Sequence, residues 1–130
     1  MSADRLQIGE VAERVGLSLR TIRFYEEAGL VIPTARSEGG FRLYSGSEVK
    51  RLRLIKKMKP LGLSVEEIGK ILAVLDSLAT RGEVGADRPA LLGELAEYRA
   101  IVDDRIEQLQ ARIAAAQELS DHLGATIDAG

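Results

Sequence analysis

The feature that most restricts what this chain can fold into is an apolar pattern in its last third. Leu92, Leu95, Arg99, Val102, Ile106, Leu109, Ile113, Ala116, Ser120 and Leu123 recur in steps of three and four residues. That period keeps one stripe of an α-helix turned toward a partner helix, and the seam is broken only by the charge at Arg99 and the hydroxyl at Ser120. Asp87 followed by Pro89 predicts the helix start. Residues 88–123 therefore read as one rod, ~50 Å long at its normal rise per residue. A rod of that length has no core of its own, and the simplest partner is a second copy. Leu95, Val102, Ile106, Leu109, Ile113 and Ala116 are the expected dimerisation residues. Gly93 weakens the first turns by ~1 kcal/mol relative to alanine. Residues 79–87, with Gly82 and Gly85, read as a linker, and residues 124–130 as a flexible tail.

Charge divides the 130-residue chain in two. Residues 1–60 hold 12 Lys and Arg against 7 Asp and Glu, whereas residues 61–130 hold 6 against 13. The near-neutral total of −2 hides a basic first half, which suits a polyanion, and an acidic second half. The absence of cysteine excludes disulfides, thiolate metal sites and cysteine nucleophiles. The one histidine, His122, excludes a histidine-built metal centre and reads as a favourable cation near a helix C-terminus. No glycine-rich phosphate loop or paired-histidine helix is present. The acidic pairs Glu26-Glu27, Glu66-Glu67 and Asp103-Asp104 are adjacent on helices, so they do not face each other as catalytic carboxylates would. No enzyme, cofactor or metal is expected. Without a signal-peptide core or an apolar run of ~20 residues, a cytoplasmic setting is expected, with no membrane partner.

Residues 1–78 read as the folded head. Glu10 to Val15 predicts a short helix, with Gly9 as its cap and Gly16 as its left-handed stop. Ser18 caps a second helix from Leu19 to Ala28, ended by Gly29. Leu19 and Ile22 are expected inward, which leaves Arg20 and Arg23 outward. Two helices about a glycine turn, the second with a basic outer face, form a helix-turn-helix. Residues 34–36 and 41–44 flank Ser37-Glu38-Gly39-Gly40 and predict a hairpin, a wing beside the helices. Ser45 or Ser47 starts a third helix to about Lys59, with Val49, Leu52 and Ile55 in its apolar stripe and Arg51, Arg53, Lys56, Lys57 and Lys59 loading the rest with positive charge. Ser64-Val65-Glu66-Glu67 is a capping box for a fourth helix to about Leu78. Four of the five aromatics, Phe24, Tyr25, Phe41 and Tyr44, lie in or beside the second helix and the wing.

Four blocks in order carry a resemblance: Ile8-Gly9-Glu10-Val11-Ala12; Ser18 with Thr21-Ile22-Arg23-Phe24-Tyr25-Glu26 and Gly29-Leu30; Arg36 with Gly40-Phe41-Arg42-Leu43-Tyr44; and Leu61-Gly62-Leu63-Ser64-Val65-Glu66-Glu67-Ile68. Over residues 7–78 the chain resembles the DNA-binding domain of the mercury-resistance-regulator (MerR) family. The resemblance implies a mainly α fold, a winged helix-turn-helix followed by a long antiparallel coiled-coil dimerisation helix. It places Arg20, Thr21 and Arg23 in or beside the major groove. It assigns Ser18, Tyr25, Arg36, Arg42 and Tyr44 to phosphates or the adjoining minor groove, and Lys59 to the backbone near the operator centre. Members often carry two tyrosines in succession, and Phe24 here lacks one of those hydroxyls.

The implied function is a homodimeric transcriptional regulator that binds a pseudo-palindrome within a promoter spacer and distorts it, so that RNA polymerase can engage. The alternative from another class is an excisionase-like architectural or recombination accessory protein, which shares the winged head. The family's sensing cysteines are missing, and a large ligand domain finds no residues. An effector, on this reading, is a small organic molecule around Leu72, Leu75, Leu78 and Tyr98, where the tyrosine offers an aromatic face with a polar tip. The simpler reading of these four is that they pack the head on the rod.

Overall fold

A three-stranded sheet and four helices make up the first part of the chain, and one long helix the second. The structure is a computed structural model that describes residues 5–80 and 87–130. The chain divides into two units, residues 1–83 and 84–130. Residues 81–86 of the expected linker lie outside the described residues.

The head runs β1 (Leu6–Gln7), α1 (Ile8–Val15), α2 (Leu19–Glu27), β2 (Ala35–Arg36), β3 (Arg42–Tyr44), α3 (Gly46–Met58), a 3-10 turn (Lys59–Leu61) and α4 (Val65–Ala79). β3 is the middle strand of an antiparallel sheet, with Leu6 opposite Tyr44 on one side and Ala35 opposite Leu43 on the other. The wing hairpin falls where its glycines put it. Gly40 takes φ 82, the left-handed region that favours glycine. β1 was not foreseen, and its pairing moves the start of α1. Gln7 is held extended by the sheet and becomes the N-cap, so the helix begins at Ile8 and Gly9 lies inside its first turn instead of capping it.

Local signals close the other helices. Gly16 ends α1 at φ 71, its N–H donating to the Ala12 carbonyl. The Ser18 side chain accepts from the Thr21 N–H at the start of α2. Of the two candidate caps of α3, Ser45 is the one used. Ser64 and Glu67 form the predicted capping box of α4, at 3.1 Å and 2.9 Å. The core gathers Val11 and Val15 of α1, Ile22 and Tyr25 of α2, Tyr44 of β3, Leu52 and Ile55 of α3, and Ile68 and Leu72 of α4. Leu19, expected inward with Ile22, is 39% exposed. It occupies the first turn of α2, where a residue has helical neighbours on one side only.

The second unit is α5 (Arg88–Ala129), in which no residue is buried. Its start agrees with the Asp87 and Pro89 signal, but the expected tail at 124–130 is helical as far as Ala129. Gly124 costs ~1 kcal/mol relative to alanine but sits between Leu123 and Ala125, two good helix formers, and the Thr126 hydroxyl donates to the His122 carbonyl at 3.0 Å. His122 therefore lies about two turns short of the helix end, outside the last turn in which a cation gains from the helix dipole. Ile127, four residues beyond Leu123, prolongs the apolar seam.

Candidate nucleic-acid interface

α2 turns Ile22 and Tyr25 into the core and leaves Arg20, Arg23 and Phe24 exposed. Arg20 and Arg23 are three residues apart and share a face. Neither is paired among the described residues, so both guanidinium groups are available to a ligand. At the N-terminus of α2, Ser18 is engaged in the cap. Its hydroxyl accepts from the Thr21 N–H at 3.1 Å and donates to the Thr21 hydroxyl at 2.8 Å. The proton of Thr21 is then left for an anion.

The wing is fastened to α2 by a residue that the sequence reading missed. Glu26, in the last turn of α2, accepts from Arg42 Nε at 2.6 Å on one oxygen and from the Tyr44 hydroxyl at 2.9 Å on the other. Its side chain is 15% exposed. Hydrogen bonding to Glu26 raises the Arg42 pKa above its ordinary value. Burial, and then the same carboxylate, pushes the Tyr44 hydroxyl up. The signal was present: Glu26 is four residues after the inward Ile22, and an acid turned inward on a helix needs a partner.

The lock also corrects the sequence assignment of Tyr44 to a phosphate. Tyr44 has 0% exposure and gives its hydroxyl to Glu26, so it positions β3 and presents no surface to DNA. Tyr25 is 3% exposed, its ring packed against Phe24 at 5.8 Å, and burial raises its pKa. Arg42 spends one N–H on Glu26 and keeps its terminal nitrogens for another acceptor. Arg36 is exposed, and its Nη1 donates to the Gly40 carbonyl across the wing turn at 3.0 Å. Phe41 is exposed at the tip.

The basic face of α3 divides by use. Lys56 Nζ donates to the Val15 carbonyl at 2.9 Å, and Arg53 reaches the Arg14 carbonyl at 3.4 Å. Both serve the last carbonyls of α1, where a cation also gains from the helix dipole. A Cβ on Gly16 would stand 2.7 Å from Lys56 Nζ, so this cap and the left-handed turn occupy the same space. Arg51 donates to the Leu30 carbonyl and pairs with Asp76 at 2.8 Å. Lys50, Lys57 and Lys59 are exposed and unpaired among the described residues. Glu48 takes hydrogen bonds from Thr34 and from the N–H and hydroxyl of Ser45. Burial alone would raise its pKa, but these bonds outweigh burial and hold the carboxyl below its ordinary value.

The remaining expected residues fall on two elements. Leu95, Val102, Ile106, Leu109, Ile113 and Ala116 are on α5, with Ile106, Leu109, Ile113 and Ala116 exposed. Of the residues expected around an effector, Leu72 is 2% exposed and belongs to the core, and with Leu75 it borders a shallow cavity edged by Glu48, Arg51 and Asp76. Leu75 and Leu78 are half-buried on α4, and Tyr98 is on α5 in the second unit. Among the described residues there is no group of three or more His, Cys, Asp or Glu able to hold a metal. None of the described helices is long and apolar enough to cross a membrane.

A winged helix-turn-helix with free arginines on its second helix and free lysines on and just beyond its third is the binding module of a DNA-binding regulator. Comparison with known proteins gives the same class and a family. The sequence matches the MerR HTH family of regulatory proteins over residues 6–75 and the MerR DNA-binding description over residues 49–126. It is 44% identical over 72 residues to the mercuric resistance operon regulatory protein of Bacillus cereus, a match that takes in 55% of this chain and 54% of that protein. It is 32% identical over 123 residues to the HTH-type transcriptional regulator ZntR of Escherichia coli K12, covering 95% of this chain and 79% of the relative. The crystal structure of HiNmlR, a MerR family regulator lacking the sensor domain and bound to promoter DNA, superimposes with a TM-score of 0.72 over 93% of this chain and 88% of that one. At 21% identity that likeness carries the fold alone. The chain belongs to the MerR family and is a DNA-binding transcriptional regulator. The excisionase-like alternative draws no support from these relatives.

Proposed function

We propose that two copies of this chain pair through α5, bind a pseudo-palindromic operator within a promoter spacer and distort it, so that RNA polymerase engages the promoter. The observation that carries this reading is the division of labour among the cations. Among the described residues Arg20 and Arg23 are unpaired on the recognition helix, while Lys57 and Lys59 are unpaired on and just beyond α3. A groove reader flanked by lysines that take phosphates as point charges suits a protein that positions and bends a duplex through its backbone while reading few bases. Two half-sites require two heads, and the uncovered seam of α5 supplies the means of joining them. The reading places the protein in the cytoplasm, with the chromosome.

Hydroxyl-radical footprinting of the DNA upstream of its own gene tests it. The expected result is two symmetric protected half-sites around a centre that becomes reactive to single-strand probes when the promoter is active. Protection removed equally well by random-sequence competitor would overturn it.

A further inference from the structure

The helical stretch beyond Leu123 changes what the seam can do. Its residues form two sets spaced by seven. Arg99, Ile106, Ile113, Ser120 and Ile127 make one set, and Leu95, Val102, Leu109, Ala116 and Leu123 the other. We propose that α5 pairs with α5 of a second copy in one antiparallel register, with Ile106 of each copy across from the partner's Leu109. This rests on the dimeric reading above and adds which residues meet.

Three arguments select the register. First, parallel in-register pairing would set Arg99 against the partner's Arg99 inside the seam, two like charges withdrawn from water. Reversing one helix removes that clash, because it sets one set of residues against the other.

Second, between residues 92 and 127 the seam holds one arginine, Arg99, and one alanine, Ala116, and the register brings them together. Arg99 lies across from the partner's Ala116, whose methyl group leaves room for the arginine stem to lie along the seam and carry its charge to the rim. Sliding the pairing by one heptad either way sets Arg99 against Leu109 or Leu123 and spends the small residue on Ile106 or Leu92.

Third, pairing Ile106 with Leu109 overlaps residues 88–127 of the two helices, a longer overlap than either slide allows within Arg88–Ala129. The ends then close on apolar contacts. Leu92 meets the partner's Leu123, and Ile127, which is 76% exposed in one copy, covers the stem of the partner's Arg88. An overlap of that length is roughly 60 Å of paired helix. The residues at 124–127, which looked like a tail, become part of the interface.

The chain has no cysteine, so introduced pairs report without background. Three full-length double variants suffice: Ile106→Cys with Leu109→Cys, Leu109→Cys with Ile113→Cys, and Val102→Cys with Ile106→Cys. Each is oxidised under mild conditions, run on a non-reducing gel, and sedimented in its reduced form beside the parent. The expected result is a near-complete covalent dimer for the first variant and little for the other two. Crosslinking of the second or third variant alone means a register slid by one heptad and overturns the proposal. Crosslinking of all three means parallel pairing and also overturns it. If none crosslinks while the parent sediments as a dimer, another face joins the copies and the proposal fails. A monomeric parent overturns the dimeric reading itself.

Discussion

Glu26 is the residue whose removal should separate the wing from the recognition helix. Glu26→Ala deletes both acceptors at once. It takes a charge-assisted bond from Arg42, whose side chain is 30% exposed and can turn to water, so that loss is the smaller of the two. It also strands the Tyr44 hydroxyl, which has no exposure and no other partner among the described residues. A missing hydrogen bond and an orphaned buried donor together cost about 2–4 kcal/mol. Tyr44→Phe alone removes the donor and leaves Glu26 on Arg42, at about 1 kcal/mol. The double variant has no orphaned hydroxyl, so the two effects should fall short of additivity by about 1–2 kcal/mol. The assay is urea unfolding followed by circular dichroism at one fixed protein concentration, since a dimer's stability depends on concentration. Additivity within error would refute the reasoning, because it would mean that Tyr44 does not depend on Glu26. A Glu26→Gln variant serves as control. Its amide can accept from Arg42 and donate to Tyr44, so it should lose no more than about 1 kcal/mol.

The other expectations follow from the same accounting of charges. Arg42→Ala and Lys59→Ala should each weaken binding to all DNA sequences and lower the salt slope by ~1 for each phosphate no longer neutralised, or twice that in a dimer; unchanged slopes in fluorescence-anisotropy titrations would reject the assignment. Because the Glu48 carboxyl is held below its ordinary pKa, its contribution to stability is complete above the unfolded value and is lost as pH falls through the folded one. Glu48→Gln should therefore flatten the acid side of the stability profile measured by urea midpoint, and an unaltered profile would contradict the role given to Thr34 and Ser45. Added salt should strengthen self-association while it weakens DNA binding, since residues 88–129 carry four arginines against eight acids and two such rods repel; sedimentation in which salt dissociates the dimer would count against the apolar seam. Calorimetry with zinc, copper and cobalt should show no tight binding, and peroxide should leave operator affinity unchanged; zinc binding at sub-micromolar concentration would overturn that expectation.

What could be read in the sequence was what neighbouring residues decide between themselves. The glycines at 39 and 40 give a hairpin because few other residues tolerate that turn, and the structure closes it with Gly40 at φ 82. Ser64 and Glu67 satisfy each other across three residues. The seam of α5 is legible because it repeats. What could not be read depended on residues far apart in the chain. β1 is two residues long and exists only because β3 lies beside it. The Glu26 lock spans 16 and 18 residues of chain. The end of α5 lies at Ala129, past the point where the fraying expected of chain ends placed it.

The cations of α3 show most plainly why charge counting stops short of a site. From the sequence, Arg51, Arg53, Lys56, Lys57 and Lys59 load the rest of the helix around its apolar stripe with positive charge. In the structure the two arginines and Lys56 turn toward carbonyls of Arg14, Val15 and Leu30, and to Asp76. Arg53 and Lys56 tie α3 to the end of α1, and Arg51 ties it to the segment after α2 and to α4. At ~100° per residue a helical wheel already sets Arg51 and Lys56 within the arc of Val49, Leu52, Ile55 and Met58 and Lys57 opposite it, whereas Arg53 falls just outside that arc and is decided by what stands opposite. The three anchored groups tie α3 to its neighbours, and Lys50, Lys57 and Lys59 are left exposed and unpaired among the described residues. A variant of an anchored residue should therefore change the fit to the operator along with stability, whereas a variant of a free lysine should change affinity alone.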